Sequence, residues 1–277
     1  ISAPAVAETL IPLAANTPQI LVNDSRLHLA FGLENLVIAG GLQPSMLYTR
    51  EGSIVVQSHQ PEASLPSKRY VSHSAMGTVV SHNNGQTWSP FLPQPGHNGV
   101  NMEGGAIQLR DGSIISLDTY ITPGKTPGSG EGQLYSSNDS WHTLQGPYDI
   151  TFNLPGVNFN GSSDDNGNPH TAVRLHRRIL ELPNGDLLTT VYGWFAGDNT
   201  PSAYMATMLK TRVVLVRSKN RGQHWELVST IAADGTVGTE GFDEPVLARI
   251  NTGPHTGRLI CQMRTGREQR ETVSDDE

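Results

Sequence analysis

Cysteine is almost missing from this chain. Cys261 stands alone in 277 residues, so no internal disulfide can form and nothing in the fold depends on an oxidising compartment. Long apolar runs are missing too, and no stretch approaches the ~20 residues that a membrane-spanning helix needs. Basic residues are outnumbered, 19 Lys and Arg against 26 Asp and Glu, which leaves a net charge of −7. Phosphate backbones require clustered Lys and Arg, so nucleic acid is excluded as a partner. The 10 His show no close pairing at ligand spacing, which excludes a structural zinc site. No Gly-rich loop leads from a strand into a helix, so no phosphate cradle is expected. Neither a cofactor nor a metal is expected, and an amphipathic helix period is absent throughout.

Turn chemistry is what the chain has in abundance. With 29 Gly, 18 Pro and only 36% hydrophobic residues, it suits a soluble, turn-rich β protein. The opening ISAPAVAETLIPLAANTPQ lacks an initiator Met and any basic-then-apolar signal pattern. It is similar to the Ala/Pro-rich leader of a mature exported protein, so a secreted or periplasmic location is expected. Residues 1–30 are read as this leader and first-strand region, and residues 31–277 as the folded domain.

Repeats carry more information. Four segments share one plan of a short run, a Gly-bearing tight turn and a second run: QPSMLYTREGSIVVQSH (43–59), EGGAIQLRDGSIISLDT (103–119), HRRILELPNGDLLTTVY (176–192) and EPVLARINTGPHTGRLICQMR (244–264). Turns of the Asp-Gly and Asn-Gly kind are strong hairpin signals, because Gly tolerates positive φ. In the first three hairpins the opening residue lies 9 positions before the turn Gly and the closing residue 7 after it; the fourth hairpin is 4 residues longer. The turn glycines Gly52, Gly112, Gly185 and Gly257 fall 60, 73 and 72 residues apart. One hairpin plus one further strand pair makes a four-stranded sheet, the size of a propeller blade. A β-sandwich is the alternative, but it does not predict hairpins repeated in one register.

An octapeptide also recurs. SHNNGQTW (81–88) and SKNRGQHW (218–225) both read Ser-x-Asn-x-Gly-Gln-x-Trp, each after an apolar β-branched run. A degenerate copy without its Gly is read at 136–141, SSNDSW, and SDDE (274–277) matches the first half of another. The octapeptide resembles the Asp-box of the sialidase-like, or neuraminidase, β-propellers (BNR repeats). Physically it is a corner: Ser and Asx side chains satisfy loose backbone groups, Gly takes a left-handed position and Trp buries its face. Trp88 and Trp225 are therefore expected to be buried away from the axis. The resemblance implies an all-β, sialidase-like propeller with about four blades visible and about six in the whole protein, so ~100 or more residues are expected beyond this stretch.

Register places the candidate site. The two ends of a hairpin lie together, so repetition about an axis gathers all the open ends on one face. The opening positions are Gln43, Glu103, His176 and Glu244; the closing positions are His59, Thr119, Tyr192 and Arg264. Polar groups at the mouth of an apolar scaffold form the default site. In LHRRIL (175–180), strand alternation sends Arg177 to the face opposite His176 and Arg178, which makes Arg178 the candidate. The long loop at 155–170 carries Asp164 and Asp165, which could reach over the mouth as a general acid. Its DDNGN also suggests Ca²⁺ faintly, but the EF-hand spacing is absent.

GFDEPVLARI…GRLICQMRTG is similar to the sialidase segment in which a Glu opens one strand and an Arg closes the next. That resemblance implies that Glu244 polarises a tyrosine nucleophile and that Arg264, suited by its two-pronged fork, helps to clamp a substrate carboxylate. Sialidases carry Arg-Ile-Pro near the first blade; aligned on Pro44, this chain reads Leu42-Gln43-Pro44, so that Arg is absent. The family's acid Asp has its nearest counterpart in Glu62, and its last Arg and its Tyr would fall beyond residue 277. A propeller glycoside hydrolase acting on an acidic or related sugar fits better than a strict sialidase.

Three functions are thus expected to compete. A hydrolase would use Glu244 as base or nucleophile-assisting group, with the acid at Glu62, Glu103, Asp164 or Asp165. A polysaccharide lyase would use His59, Tyr192 and Arg264 on a uronate. A non-catalytic propeller would only bind glycan. In each case the partner is a glycan or polysaccharide, and oligomeric state is not legible.

Overall fold

The computed structural model describes residues 36–38, 42–59, 75–90, 92–95, 102–159, 162–163, 169–170, 173–204 and 206–276. Glu62, Asp164 and Asp165 lie outside them. The chain divides into a segment Ile1–Ala39 and a unit Gly40–Glu277 that carries the strands of the described residues. No helix occurs among the described residues, so none there is long and apolar enough to cross a membrane.

Strands follow one another as meanders. β1 (Leu42–Tyr48), β2 (Ile54–His59), β3 (Ala75–Ser81) and β4 (Leu92–Pro95) form an antiparallel sheet in sequence order. β5 (Gly105–Gln108), β6 (Ile114–Leu117), β8 (Ser129–Ser137) and β9 (Gln145–Asn153) form the next, and β7 (Tyr120–Pro123) continues β6 outward. After a two-strand ribbon of β10 (Ser162–Ser163) and β11 (Pro169–His170), β12 (Val173–Leu175) and β13 (Leu180–Glu181) both pair with β14 (Leu187–Gly193). β15 (Arg212–Ser218) and β16 (His224–Ala232) complete that third sheet. β17 (Asp243–Arg249), β18 (Leu259–Arg264) and β19 (Arg270–Ser274) make the fourth.

The second and third sheets are stitched at two places. β7 pairs with β8 and β12, and β16 runs parallel to β9, so the path β8-β7-β12-β14-β15-β16-β9 returns to β8 as a closed, mixed seven-strand circuit. Apolar cores lie between successive sheets. Leu47 and Val55 meet Met102, Ile114 and Trp141 between the first and second. Ile115, Phe152, Leu175, Val191 and Trp225 belong to the core of the second and third. Leu188, Val213, Leu247, Cys261 and Met263 fill the space between the third and fourth. Burial pushes the Cys261 thiol up to about 12, which keeps it protonated and unreactive.

The hairpin turns follow the reading of their glycines. Gly52, Gly112 and Gly185 have φ of 88°, 94° and 89°. Each donates its N–H to the residue three before it, at 3.1, 3.0 and 2.9 Å. The longer fourth turn instead sends the Gly257 N–H to the Ile250 carbonyl at 2.8 Å.

The octapeptide builds the outer corners through hydrogen bonds from Ser and Asn. Ser81 Oγ accepts from the Gly85 N–H at 2.9 Å and Asn83 Oδ1 from the Thr87 N–H at 2.9 Å. Ser218 Oγ and Asn220 Oδ1 do the same for Gly222 and His224 at the same distances. The degenerate copy repeats the pattern at Ser137 and Asp139, which accept from the Trp141 and Thr143 N–H groups at 3.0 and 2.9 Å. Its register is therefore 137–144, not 136–141. Trp141 occupies the Gly position at φ 72°, and Leu144 occupies the Trp position. A Trp in the left-handed region is rare; here its indole, 6% exposed, fills the core between the first and second sheets. The two true copies also differ. Trp225 is fully buried and stacks on Phe152 at 6.3 Å, because β16 lies against β9, whereas Trp88 is only half-buried.

Candidate active site at the open ends of the hairpins

Local backbone distortion sets the mouth. Gln43 and Glu244 each precede a proline and sit at φ 52° and 39°. The ladders slip at both places, between Leu42 and Ser45 and between Asp243 and Val246. Arg177 has φ 60° and Gly105 φ 122°, so every opening run swerves where it enters its sheet. Non-glycine residues held in this region cost ~1–3 kcal/mol each and persist where surrounding structure imposes them.

Polar contacts then join the four hairpins in a circuit. Gln57 Oε1 accepts from the Met102 N–H at 2.8 Å, linking the first hairpin to the second. The Glu103 carbonyl accepts from the Arg177 N–H at 3.0 Å, linking the second to the third. His176 Nδ1 donates to the Pro245 carbonyl at 3.0 Å, linking the third to the fourth. Gln43 Nε2 donates to Glu244 Oε1 at 3.4 Å across 201 residues of sequence, which returns the circuit to its start.

Two carboxylates stand out in that circuit. Glu103, 3% exposed, meets the buried His59 Nε2 at 3.2 Å. Glu244 is half-buried and meets Arg264 Nη1 at 3.2 Å. His176 is neutral: its Nδ1 is a donor while its Nε2 accepts from Arg177 Nε at 2.8 Å. Desolvation and then the Arg177 charge press its pKa down to about 4. Tyr192 presents its ring edge-on to His176 at 5.8 Å, and burial holds its phenol well above the usual range.

The structure thus gathers Gln43, His59, Glu103, His176, Tyr192, Glu244 and Arg264 at one face. Thr119 is buried beside them, its hydroxyl donating to the Leu175 carbonyl at 2.8 Å. Arg178 is the exception. The left-handed Arg177 breaks strand alternation, so Arg177 lies on His176 while Arg178 is exposed and lines a separate cavity of about 380 Å³ with Leu180, Val246 and Arg249. Arg264 also differs from expectation. Its guanidinium meets Glu240 at 3.1 Å as well as Glu244 at 3.2 Å, so both terminal nitrogens are engaged by the protein's own carboxylates.

Sequence reasoning missed several residues here. Arg174 lies over the Tyr120 ring at 5.4 Å and bonds to Tyr192. Its place two residues before His176 on the same strand face was the available signal. Glu240 and Asp243 lie in the run EGFDE, where the eye stops at the Glu before proline. Among the described residues, no cluster of three or more His, Cys, Asp or Glu could hold a metal ion.

No family model and no curated protein matches the sequence. Solved structures do. A protein of unknown function from Dyadobacter fermentans DSM 18053 is 20% identical, with a TM-score of 0.55 over 83% of this chain and 64% of its own. The α-L-arabinanase of Penicillium chrysogenum, complexed with arabinobiose, is 15% identical, with a TM-score of 0.52 over 87% of this chain and 64% of its own. The GH93 α-L-arabinofuranosidase of Fusarium graminearum, also with arabinobiose, is 12% identical, with a TM-score of 0.51 over 86% of this chain and 63% of its own. The chain thus spans under two thirds of the length of each. The likeness shows the β-propeller fold that this chain shares with these proteins, and nothing in it singles out sialidases.

Proposed function

We propose that this chain carries the active face of a propeller glycoside hydrolase of the sialidase-like type, exported from the cell, with a glycan as its substrate. The observation that carries the reading is that Glu103 and Glu244, from hairpins 141 residues apart in sequence, both stand around His176 and Tyr192. Glycoside hydrolysis needs one carboxyl to give its proton to the leaving oxygen and another to serve the anomeric carbon from the opposite side. Glu244 takes the second role, and Glu103, enclosed beside His59, takes the first. Water adds to the anomeric carbon, and its proton restores the acid. Asp164, Asp165 and Glu62 remain alternative acids outside the described residues.

The substrate class departs from the resemblance to sialidases. Arg264 already serves two carboxylates, so an anionic substituent would have to displace one of them. That favours a neutral sugar, and the arabinobiose complexes of the two enzymes of similar fold put α-L-arabinosides first in a substrate panel. The lyase reading loses support from the same geometry. It needs His59 or Tyr192 as a proton acceptor, yet His59 Nε2 is engaged by Glu103 at 3.2 Å and burial makes the Tyr192 phenolate costly.

The test is sugar release from neutral and acidic aryl glycosides and oligosaccharides by the parent protein, Glu244→Gln and Glu103→Gln. Turnover of a neutral glycoside that either variant cuts about 10²-fold or more supports the reading. Variants as active as the parent would move the site elsewhere. Tight glycan binding with no turnover would make the protein a binding module, and an unsaturated uronate product would make it a lyase.

A further inference from the structure

Behind Glu244 and Arg264 lies a pair of carboxyl groups that the proposed reaction does not use. Glu240 stands in the loop leading into β17, three residues before Asp243, which is the first residue of that strand. Asp243 is only 7% exposed. Its Oδ1 is buried without a hydrogen-bond partner, and the buried Glu240 Oε2 meets Arg264 Nη2 at 3.1 Å without forming a hydrogen bond to it. Arg264 faces Asp243 across the ladder, but its two ion pairs go to Glu240 and Glu244. Three carboxyl groups, of which Asp243 is buried, therefore stand around one half-exposed guanidinium. Like charges so arranged disfavour one another's ionisation, and one proton relieves them.

The geometry says where that proton sits. Glu240 and Glu244 each face Arg264, at 3.1 and 3.2 Å, whereas among the described residues Asp243 has no ion pair and is only 7% exposed. Asp243 lies within hydrogen-bonding reach of the Glu240 carboxyl, so one proton held between them gives the buried Asp243 carboxyl the bond it otherwise lacks. We propose that Asp243 is a positioning residue that holds this proton, donates it to Glu240, and thereby lets Arg264 bind Glu240 and Glu244 together with Glu244 ionised at the mouth. This rests on the reading of Glu244 as the working carboxylate. Burial first, and Glu240 second, push Asp243 up to about 8, in agreement with that arrangement. The charged and titratable groups facing it are Glu240 from the loop, Glu244 from its own strand, Arg264 from β18 and Tyr192 from β14. The nearby Lys210 ammonium is committed to the Val237 and Gly238 carbonyls at 3.0 and 2.8 Å.

Above its folded pKa the Asp243 proton leaves, the Asp243–Glu240 bond becomes a repulsion, and Glu240 and Glu244 compete for Arg264. The sign follows by linkage: a carboxyl whose folded pKa is raised holds a proton in the native state that the unfolded chain releases near 3.8. Stability from this group is therefore full below that value and is lost as pH rises towards about 8.

The experiment compares the whole chain with Asp243→Asn, which keeps the shape and a donor but cannot ionise. Without any substrate, thermal unfolding is followed from pH ~5 to ~10. The variant should gain on the parent as pH rises from ~5 towards about 8, and its advantage should stay constant above that. In parallel, the ¹³C shift of the Asp243 carboxyl in the parent should titrate near that value, a measurement that holds even if the variant folds poorly. With a turned-over glycoside, the parent's kcat should fall on the alkaline side, and Asp243→Asn should keep activity where the parent has lost it. A carboxyl that titrates below ~5, or parallel stability profiles, would overturn the proposal. An active enzyme whose alkaline limb survives in Asp243→Asn would overturn it while leaving the glycosidase reading intact. A protein with no turnover, but with Asp243 titrating near 8, removes the glycosidase reading and with it the positioning role, leaving only a shared proton.

Discussion

The outer corners repeat three times among the described residues and the mouth is fed by four hairpins, yet the two treat repetition in opposite ways. At the corners, 81–88, 137–144 and 218–225 keep one hydrogen-bond pattern while the large side chains vary. Ser and Asx are constant, and Trp141 even replaces the glycine. At the mouth the backbone swerve is repeated, but the side chains delivered by it are Gln43, Glu103, His176 and Glu244, no two in the same surroundings. Where the chemistry repeats, the job is to hold a turn. Where only the frame repeats, different groups are brought to one place, which is what a reaction requires.

The largest effect should come from a corner. Trp225→Ala removes a fully buried indole stacked on Phe152 and should cost ~3–5 kcal/mol in denaturant unfolding. A loss below ~1 kcal/mol would show that the corner does not anchor the second and third sheets. Next comes the mouth. Glu244→Gln should lower kcat on the order of 10²-fold, equivalent to ~2.7 kcal/mol of barrier, with little change in unfolding midpoint. If the midpoint drops as far as it does for Trp225→Ala, Glu244 belongs with the corners as a structural residue.

A smaller effect sharpens the contrast within the corners. Ser218→Ala and Ser137→Ala each strand the N–H groups that the hydroxyl accepts from. Each should cost ~1–3 kcal/mol, and by similar amounts, although one box has its Trp and the other does not. Unequal losses would mean that Trp, not Ser, defines the motif. The smallest effect is in pH. His176 is held at about 4 by burial and by Arg177, and His82, stacked on His142 at 3.7 Å, is also lowered, first by desolvation. The folded state thus resists protonation that the unfolded chain accepts near 6.5. Unfolding temperature should fall as pH drops from 6.5 towards about 4. His176→Gln should flatten that fall more than His82→Gln, because the His82 ring is exposed.

Hairpins were easy to read because their signals are local. A turn Gly with an apolar run on either side specifies a hairpin without help from the rest of the chain, and all four lie where the sequence places them. Aligning Trp with Trp sets the SSNDSW box one residue off, since its Ser and Asx, not its Trp, hold the register. Its hydrogen bonds align Ser137 and Asp139 instead. Arg178 was chosen over Arg177 because strand alternation was assumed to run through a residue with φ 60°, and positive φ in a non-glycine residue leaves no mark in sequence. Asp243 was passed over because a carboxyl's importance here depends on burial and on Glu240, neither of which is a property of spacing.

By itself the sequence determined the all-β class, the four hairpins, the Ser and Asx corners and the set of polar residues at hairpin ends. Each of these follows from backbone preferences and a period of two along a strand. Tertiary structure decided which of those ends meet. The 3.4 Å contact of Gln43 with Glu244 spans 201 residues, and the sharing of Arg264 by Glu240 and Glu244 turns an expected substrate clamp into an internal brace. Such outcomes depend on how sheets twist and pack about a common centre, and on how much water is left there, and no local stretch of sequence encodes either.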